Sequence, residues 1–338
     1  MATIQLSREA FFHNLDIIAQ QTSSVDKIAL VLKDNAYGHG LLEIAGLARE
    51  YGIGKAVVRT DAEAFEIREY FEYILVLADT PKQENPNAVY TANSLDDIKR
   101  FPKKTKVALK FDTGMHRNGI CFKLMDEAIY QCREHDLELV DIFSHHRSAD
   151  TLSSEWFWQK KNFEMAKKSA LSLCEKYGYK RPRLHSSNSA SLFRHNHFDE
   201  DLARVGIVAY GCLRMDKTLY QPDIKPVMSL WADRMSSQTL KMGQRLGYNA
   251  TFEPTRLTQT STYDVGYSDG LLRSASNQYI TPKGYPLLGR VSMDNSSFGS
   301  IQDEICIFND ANSYAKAAGT ISYEVLVGMR PHIKRVVV

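Results

Sequence analysis

Residues 28–40 read Ile28-Ala29-Leu30-Val31-Leu32-Lys33-Asp34-Asn35-Ala36-Tyr37-Gly38-His39-Gly40. Five aliphatic residues in a row, with no polar alternation, describe a strand buried on both faces. Lys33 ends the run, and the Asp, Asn and two Gly that follow mark a turn. Leu41–Tyr51 then repeats apolar residues at helical spacing. One strand, one turn and one helix make the unit of a parallel sheet, because the next parallel strand is reached only by a crossover.

That unit recurs. Further strand candidates are Lys55–Arg59, Tyr73–Ala78, Ala88–Thr91, Lys106–Asp112, Leu137–Phe143, Arg183–His185 and Arg204–Ala209, with helical patterns at Asp61–Phe71, Ser94–Phe101, Phe122–His135 and Ser153–Tyr177. Eight strands alternating with helices predict a (β/α)8 barrel over residues 8–222. A doubly wound open sheet is the rival, but no Gly-x-Gly-x-x-Gly follows the first strand. Beyond residue 222 the texture changes to short β-type runs, at Met228–Gln238, Gly243–Phe252, Ser261–Tyr267, Tyr285–Val291 and Glu304–Phe308. Residues 223–338 are therefore expected to form a mainly β domain, with residues 1–7 joining it through a strand at Thr3–Leu6.

Composition narrows the function. Forty-two basic against 40 acidic side chains leave a net charge of +2, which supplies no field for nucleic acid or an anionic membrane. No run approaches the ~18 apolar residues of a membrane span. The N-terminus has no basic, then apolar, leader, and five scattered cysteines form neither a disulfide framework nor a metal cluster. A cytoplasmic protein with no metal is the expectation.

The ends of barrel strands face the active site, so Lys33 is expected to point into it from apolar surroundings that suit Schiff-base chemistry. On this pattern alone a solvent-exposed lysine at a strand end is the simpler reading. The stretch as a whole, however, resembles the cofactor-lysine signature of alanine racemases, an apolar strand leading to Lys-x-x-Ala-Tyr-Gly-His-Gly. Eight further blocks resemble that family in order: Lys110–Arg117, Ser144–Asp150, His185–Ala190, Arg204–Ile207, Gly247–Thr251, Gly266–Gly270, Gly289–Asp294 and Thr320–Tyr323.

The resemblance implies a fold-type III enzyme dependent on pyridoxal 5'-phosphate that interconverts L- and D-alanine and so provides D-alanine for peptidoglycan. It implies that Lys33 carries the cofactor and is the base on one face of the substrate. Tyr248, arriving from the other subunit of a head-to-tail homodimer, is implied as the opposing base. A tyrosine gives up its proton near neutral pH only with help, for which His145 and Arg204 are the candidates. Arg204 is implied to face the ring nitrogen, and Tyr37, Ser189, Tyr323 and the backbone at Gly206 and Ile207 to hold the phosphate, with His145 also at the cofactor. Arg117 and Met293 are implied at the substrate carboxylate, Lys110 as a lysine open to carbamylation, and Tyr267, Arg273 and Arg290 as an entrance gate. His146 and Arg147, Asp34 and Asn35, and Gly247 and Asn249 depart from the commoner family residues and bear on pocket width.

Other readings differ in class. A cofactor-carrier protein would consist of the barrel alone, and a barrel-plus-β decarboxylase would release carbon dioxide from a basic or diamino acid. A racemase acting on serine or a broader amino-acid set is the alternative within the family.

Overall fold

The computed structural model describes residues 2–338. In chain order its strands begin with β1 (Thr3–Leu6), followed by β2 (Ile28–Val31), β3 (Lys55–Val58), β4 (Tyr73–Val76), β5 (Ala88–Ala92), β6 (Lys106–Asp112), the two-residue β7 (Ile120–Cys121), β8 (Glu138–Phe143), β9 (Arg183–His185) and β10 (Ala203–Val205). Eight of these pair side by side, all parallel, in the order β10-β2-β3-β4-β5-β6-β8-β9. At the seam the Arg204 N–H donates to the Ser187 carbonyl at 2.9 Å, so the sheet is a nearly closed barrel. The eighth strand stops at Val205 and not at Ala209. From Gly206 the chain makes a single turn, with the Ala209 and Tyr210 N–H groups both donating to the Gly206 carbonyl.

Strand residues alternate between two cores. Ala29, Val31, Val57, Tyr73, Leu75, Val89, Ala108 and Phe143 fill the lumen. Leu30, Ala56, Ile74, Leu109 and Ile142 pack outward under the helices. Burial on both faces is why these strands read as continuous apolar runs. The helices start where caps were legible. Thr60 and Glu63 form a capping box at Asp61–Glu66, and Ser94 caps Leu95–Arg100 with Asp97. The first of these ends at Glu66, five residues short of the expected Phe71.

The remaining strands, β11 (Met228–Leu240), β12 (Thr258–Tyr263), β13 (Leu287–Leu288), β14 (Ser296–Phe298), β15 (Glu304–Phe308) and β16 (Lys334–Val337), form a second sheet with β1. β1 runs antiparallel to β11 and parallel to β16. Four expectations change here. Gly243–Phe252 is not a strand: a bridge between Leu246 and Phe252 closes a loop whose tip, Tyr248–Ala250, is a 3-10 turn. The run Tyr285–Val291 shrinks to two strand residues, and Ser261–Tyr267 shifts back to β12. Two short helices, Ala311–Ala318 and Ser322–Gly328, lie in the domain expected to be mainly β. The first was legible, since Asp310 caps an alanine-rich segment.

Candidate active site

Lumen parity selects the site. Following the inward face along the strands and past their C-terminal ends brings Lys33 after Ala29 and Val31, Lys110 after Ala108, His145 after Phe143, and Arg204 in from β10. All four line one cavity of about 970 Å³, together with Tyr37, Arg59, Arg117, Ser189, Gly206, Ile207 and Tyr323. The Lys33 ammonium is 3.9 Å from the Asp34 carboxylate and its side chain is 36% exposed, so the approach is less apolar than expected.

The turn after Lys33 is left-handed. Asp34, Asn35, Ala36 and Tyr37 have φ of 54°, 57°, 51° and 52°, and Gly38 follows at 76°. L-residues resist this region by about 1–2 kcal/mol each, so the turn must be held from outside. The Glu63 carboxylate accepts the Asp34 N–H at 2.7 Å and the Asn35 side chain accepts the Leu41 N–H at 2.8 Å. The His39 ring stacks on Tyr210 with centroids 4.3 Å apart. Arg335 of β16 donates to the Gly38 carbonyl at 2.9 Å, which ties the second domain to this turn.

What the turn achieves is the placement of Tyr37. Its hydroxyl lies 3.0 Å from where a Cβ on Gly206 would stand, and its ring is 5.9 Å from Tyr323. The Gly206 N–H donates to Ser189 Oγ at 3.0 Å, which leaves the serine's own proton free. Burial raises the Tyr37 phenol well above its ordinary value, and burial with the Asp150 carboxylate pushes Tyr323 up to about 12. Both stay protonated and able to donate. Three hydroxyls and a bare backbone in one corner fit an oxyanion such as a phosphate. No helix starts behind Gly206, so no helix dipole adds to it.

The floor is cationic. Burial lowers the Arg204 guanidinium to about 10, and lowers Lys110 to about 8 with help from Arg117 and Arg204. Lys110 Nζ donates to the Asn118 side chain. Burial first, then Arg204, Lys110 and Arg117, hold His145 well below the usual histidine value, so it is neutral.

Tyr248, Tyr267, Arg273, Arg290 and Met293 do not line this cavity. They belong to the second domain, where Tyr248 is 64% and Met293 60% exposed. Within one chain Tyr248 therefore does not meet Lys33, His145 or Arg204. Most of these residues neighbour one another instead. A Cβ on Gly289 would stand 3.2 Å from the Leu246 carbonyl, which sets the Tyr248 loop beside Arg290, and the Tyr267 N–H donates to the Ser292 carbonyl at 3.0 Å, next to Met293.

Residues 6–214 match the alanine racemase N-terminal domain and residues 227–337 the alanine racemase C-terminal domain. This chain belongs to the alanine racemase family. It is 44% identical to the alanine racemase of a Nitratiruptor species over 335 residues, 99% of each chain. It is 40% identical to that of Campylobacter curvus over 337 residues, again 99% of each. Among solved structures, the alanine racemase of Clostridium difficile 630 superposes with a TM-score of 0.90 at 25% identity, covering 100% of this chain and 95% of that one. The Streptomyces lavendulae alanine racemase shares the fold, with a TM-score of 0.87 at 24% identity, covering 100% of this chain and 97% of that one.

As an alanine racemase the chain interconverts L- and D-alanine, which requires the Cα proton to leave one face and return to the other. Beyond the residues singled out from sequence, the racemase cavity holds Arg59 and Asn118, and beneath Arg204 lie His185, Asp141 and Glu200. Parity along β3 and β8 would have found Arg59 and Asp141, since each follows a lumen residue by two or precedes one by two.

Proposed function

We propose that this racemase works with pyridoxal 5'-phosphate held by Lys33, and that it is a head-to-tail homodimer in which Tyr248 of the partner subunit faces Lys33 across the substrate. The observation that carries this reading is the division of the candidate residues. Those from the barrel share one cavity, whereas Tyr248 and most of its neighbours form an exposed group that a single chain leaves outside.

The bound cofactor would supply an electron sink for the pair left on Cα. Tyr37, Ser189, Tyr323 and the backbone at Gly206 and Ile207 would hold its phosphate, for which the donor set described above is suited. Arg204 carries N–H donors and no acceptor, so it would leave the ring nitrogen unprotonated. Neutral His145 would lie against the cofactor without adding charge. Arg117 and the Met293 backbone N–H would orient the substrate carboxylate. Lys33 Nζ would take or return the proton on one face and Tyr248 Oη on the other. Tyr267, Arg273 and Arg290 would form the entrance, and carbamylated Lys110 would pin Arg117. On this reading the barrel spans residues 8–222 and the β domain 223–338, and the enzyme supplies D-alanine for peptidoglycan in the cytoplasm. Among the described residues no helix is long and apolar enough to cross a membrane.

Subunit mixing tests the shared site. Lys33→Ala and Tyr248→Phe homodimers should each be nearly inactive. Co-refolding equal amounts should restore about a quarter of wild-type activity, because half the dimers carry one intact site. No recovery, or a monomeric active enzyme, would sink the proposal. Lys33→Ala should also lose the absorbance of the bound cofactor, and a turnover of serine rivalling that of alanine would favour the broader substrate range.

A further inference from the structure

Beneath Arg204 the lumen holds a line of buried polar groups that the reaction scheme does not use. Arg204 Nη1 contacts His185 Nδ1 at 2.5 Å, and its Nη2 donates to the carbonyls of Ser144 at 2.6 Å and Ser186 at 3.1 Å. His185 Nε2 faces Asp141 Oδ1 at 3.6 Å and has no other partner among the described residues. Asp141 is fully buried and accepts from the Tyr73 hydroxyl at 2.8 Å and from Arg183 Nε at 2.7 Å. The His185 ring is clamped by Phe143, stacked at 5.2 Å and 9°, over which the Arg204 guanidinium also lies. The buried Glu200 carboxylate also acts on His185 electrostatically and is itself bound by the Ser186 and Ser187 N–H groups at 2.7 and 2.9 Å.

Arginine can only donate, so His185 Nδ1 must be the acceptor and its proton must sit on Nε2. That places an N–H toward the Asp141 carboxylate. A bulge at Val140 sets Asp141 there, since Ala108 pairs with Asp141 where the regular register would offer Val140.

We propose that Asp141 is a positioning residue of the racemase: it holds His185 in the Nε2–H form, and His185 in turn aims the Arg204 guanidinium at the cofactor's ring. The proposal rests on the reading that Arg204 faces that ring. The logic is that of a carboxylate orienting an active-site imidazole, where the amide substitution keeps the shape and yields the wrong tautomer. In Asp141→Asn, Tyr73 and Arg183 compete for the one remaining oxygen and the new amide N–H is left for His185. The ring is then driven to the Nδ1–H form, which sets donor against donor at Arg204.

The test uses full-length protein with nitrogen-15-labelled histidine, in both cofactor-free and loaded forms. The wild-type His185 ring should carry its proton on Nε2; a proton on Nδ1 overturns the proposal without any variant. In Asp141→Asn the proton should move to Nδ1 even without cofactor. In the loaded enzyme kcat should fall by about ten- to a hundredfold, with KM for alanine within roughly twofold. The absorbance of the bound cofactor should shift in the direction seen with Arg204→Lys. A folded Asp141→Asn with unchanged tautomer and kcat overturns the proposal, as does one whose loss lies in KM alone. If Arg204→Lys leaves the absorbance untouched, the reading of Arg204 fails and takes the proposal with it. That outcome is distinguishable because the tautomer is measured without cofactor.

Discussion

A Cβ placed on Gly206 would stand 3.0 Å from the Tyr37 hydroxyl and 3.1 Å from the ring carbon that bears it. The contact joins the turn after the first barrel strand to the turn after the last, at the corner read as the phosphate cradle. Gly206→Ala should therefore displace Tyr37 while leaving the fold intact. We expect the dissociation constant for pyridoxal 5'-phosphate to rise on the order of tenfold, with a stability loss of about 1–2 kcal/mol. Cofactor titration beside thermal melting of the cofactor-free protein checks it; unchanged affinity would refute the cradle.

Gly38 carries a different burden. Its φ is 76° and a Cβ there would lie 1.9 Å from the Leu326 carbonyl, which is backbone and cannot yield cheaply. Gly38→Ala should cost about 3 kcal/mol or more, combining left-handed strain with forced separation of the turn from the helix Ser322–Gly328. Chemical denaturation of the cofactor-free protein measures this. A variant as stable as wild type would mean that the second domain does not brace the turn.

Lys110, lowered to about 8, has a neutral amine fraction that grows as pH rises through that value. A neutral amine and carbon dioxide give a carbamate and a proton, which would place an anion among Arg117 and Arg204 in place of a third cation. Carbon-13-labelled bicarbonate should yield a carbamate signal that is larger near pH 8.5 than near pH 6.5 and absent in Lys110→Met. No signal in the wild type under saturating bicarbonate would dispose of the modification.

Acid should weaken the fold before the carboxylates titrate. Wholly buried His39 donates from Nδ1 to the Ala36 and Tyr37 carbonyls, and burial lowers it from 6.5 to about 4. The unfolded chain binds that proton first, so the stability is present above about pH 6.5 and is lost as pH falls toward 4, by roughly 3 kcal/mol in full. His146, also lowered chiefly by burial, acts in the same direction. Melting temperatures should fall between neutrality and about pH 4, with a shallower slope in His39→Gln. A flat profile would contradict neutral buried histidines.

Much of the barrel was legible in the chain because its determinants are local. Continuous aliphatic runs specify strands buried on both faces, and Ser and Thr caps begin the helices between them. Period-two parity carries Lys33, Lys110 and His145 to one end of the lumen. The second domain was less legible because its strands are short and polar, so pairing partners and not propensity choose them. Gly243–Phe252 became a loop, while Ser322–Gly328 became a helix packed near the turn after Lys33, beside the helix Ala311–Ala318.

What the sequence by itself determined is the alternation of strand and helix, the lumen face, and the lysine at the end of the first barrel strand. Only the tertiary structure decided that Asp34–Tyr37 turn left-handed, since no local preference selects four such residues in a row. Glu63, Tyr210 and Arg335, up to about 300 residues away, hold them there against that preference. It likewise decided that inward-facing Asp141 meets His185 beneath Arg204, because the pairing of β8 with β6 and β9 chooses that neighbour.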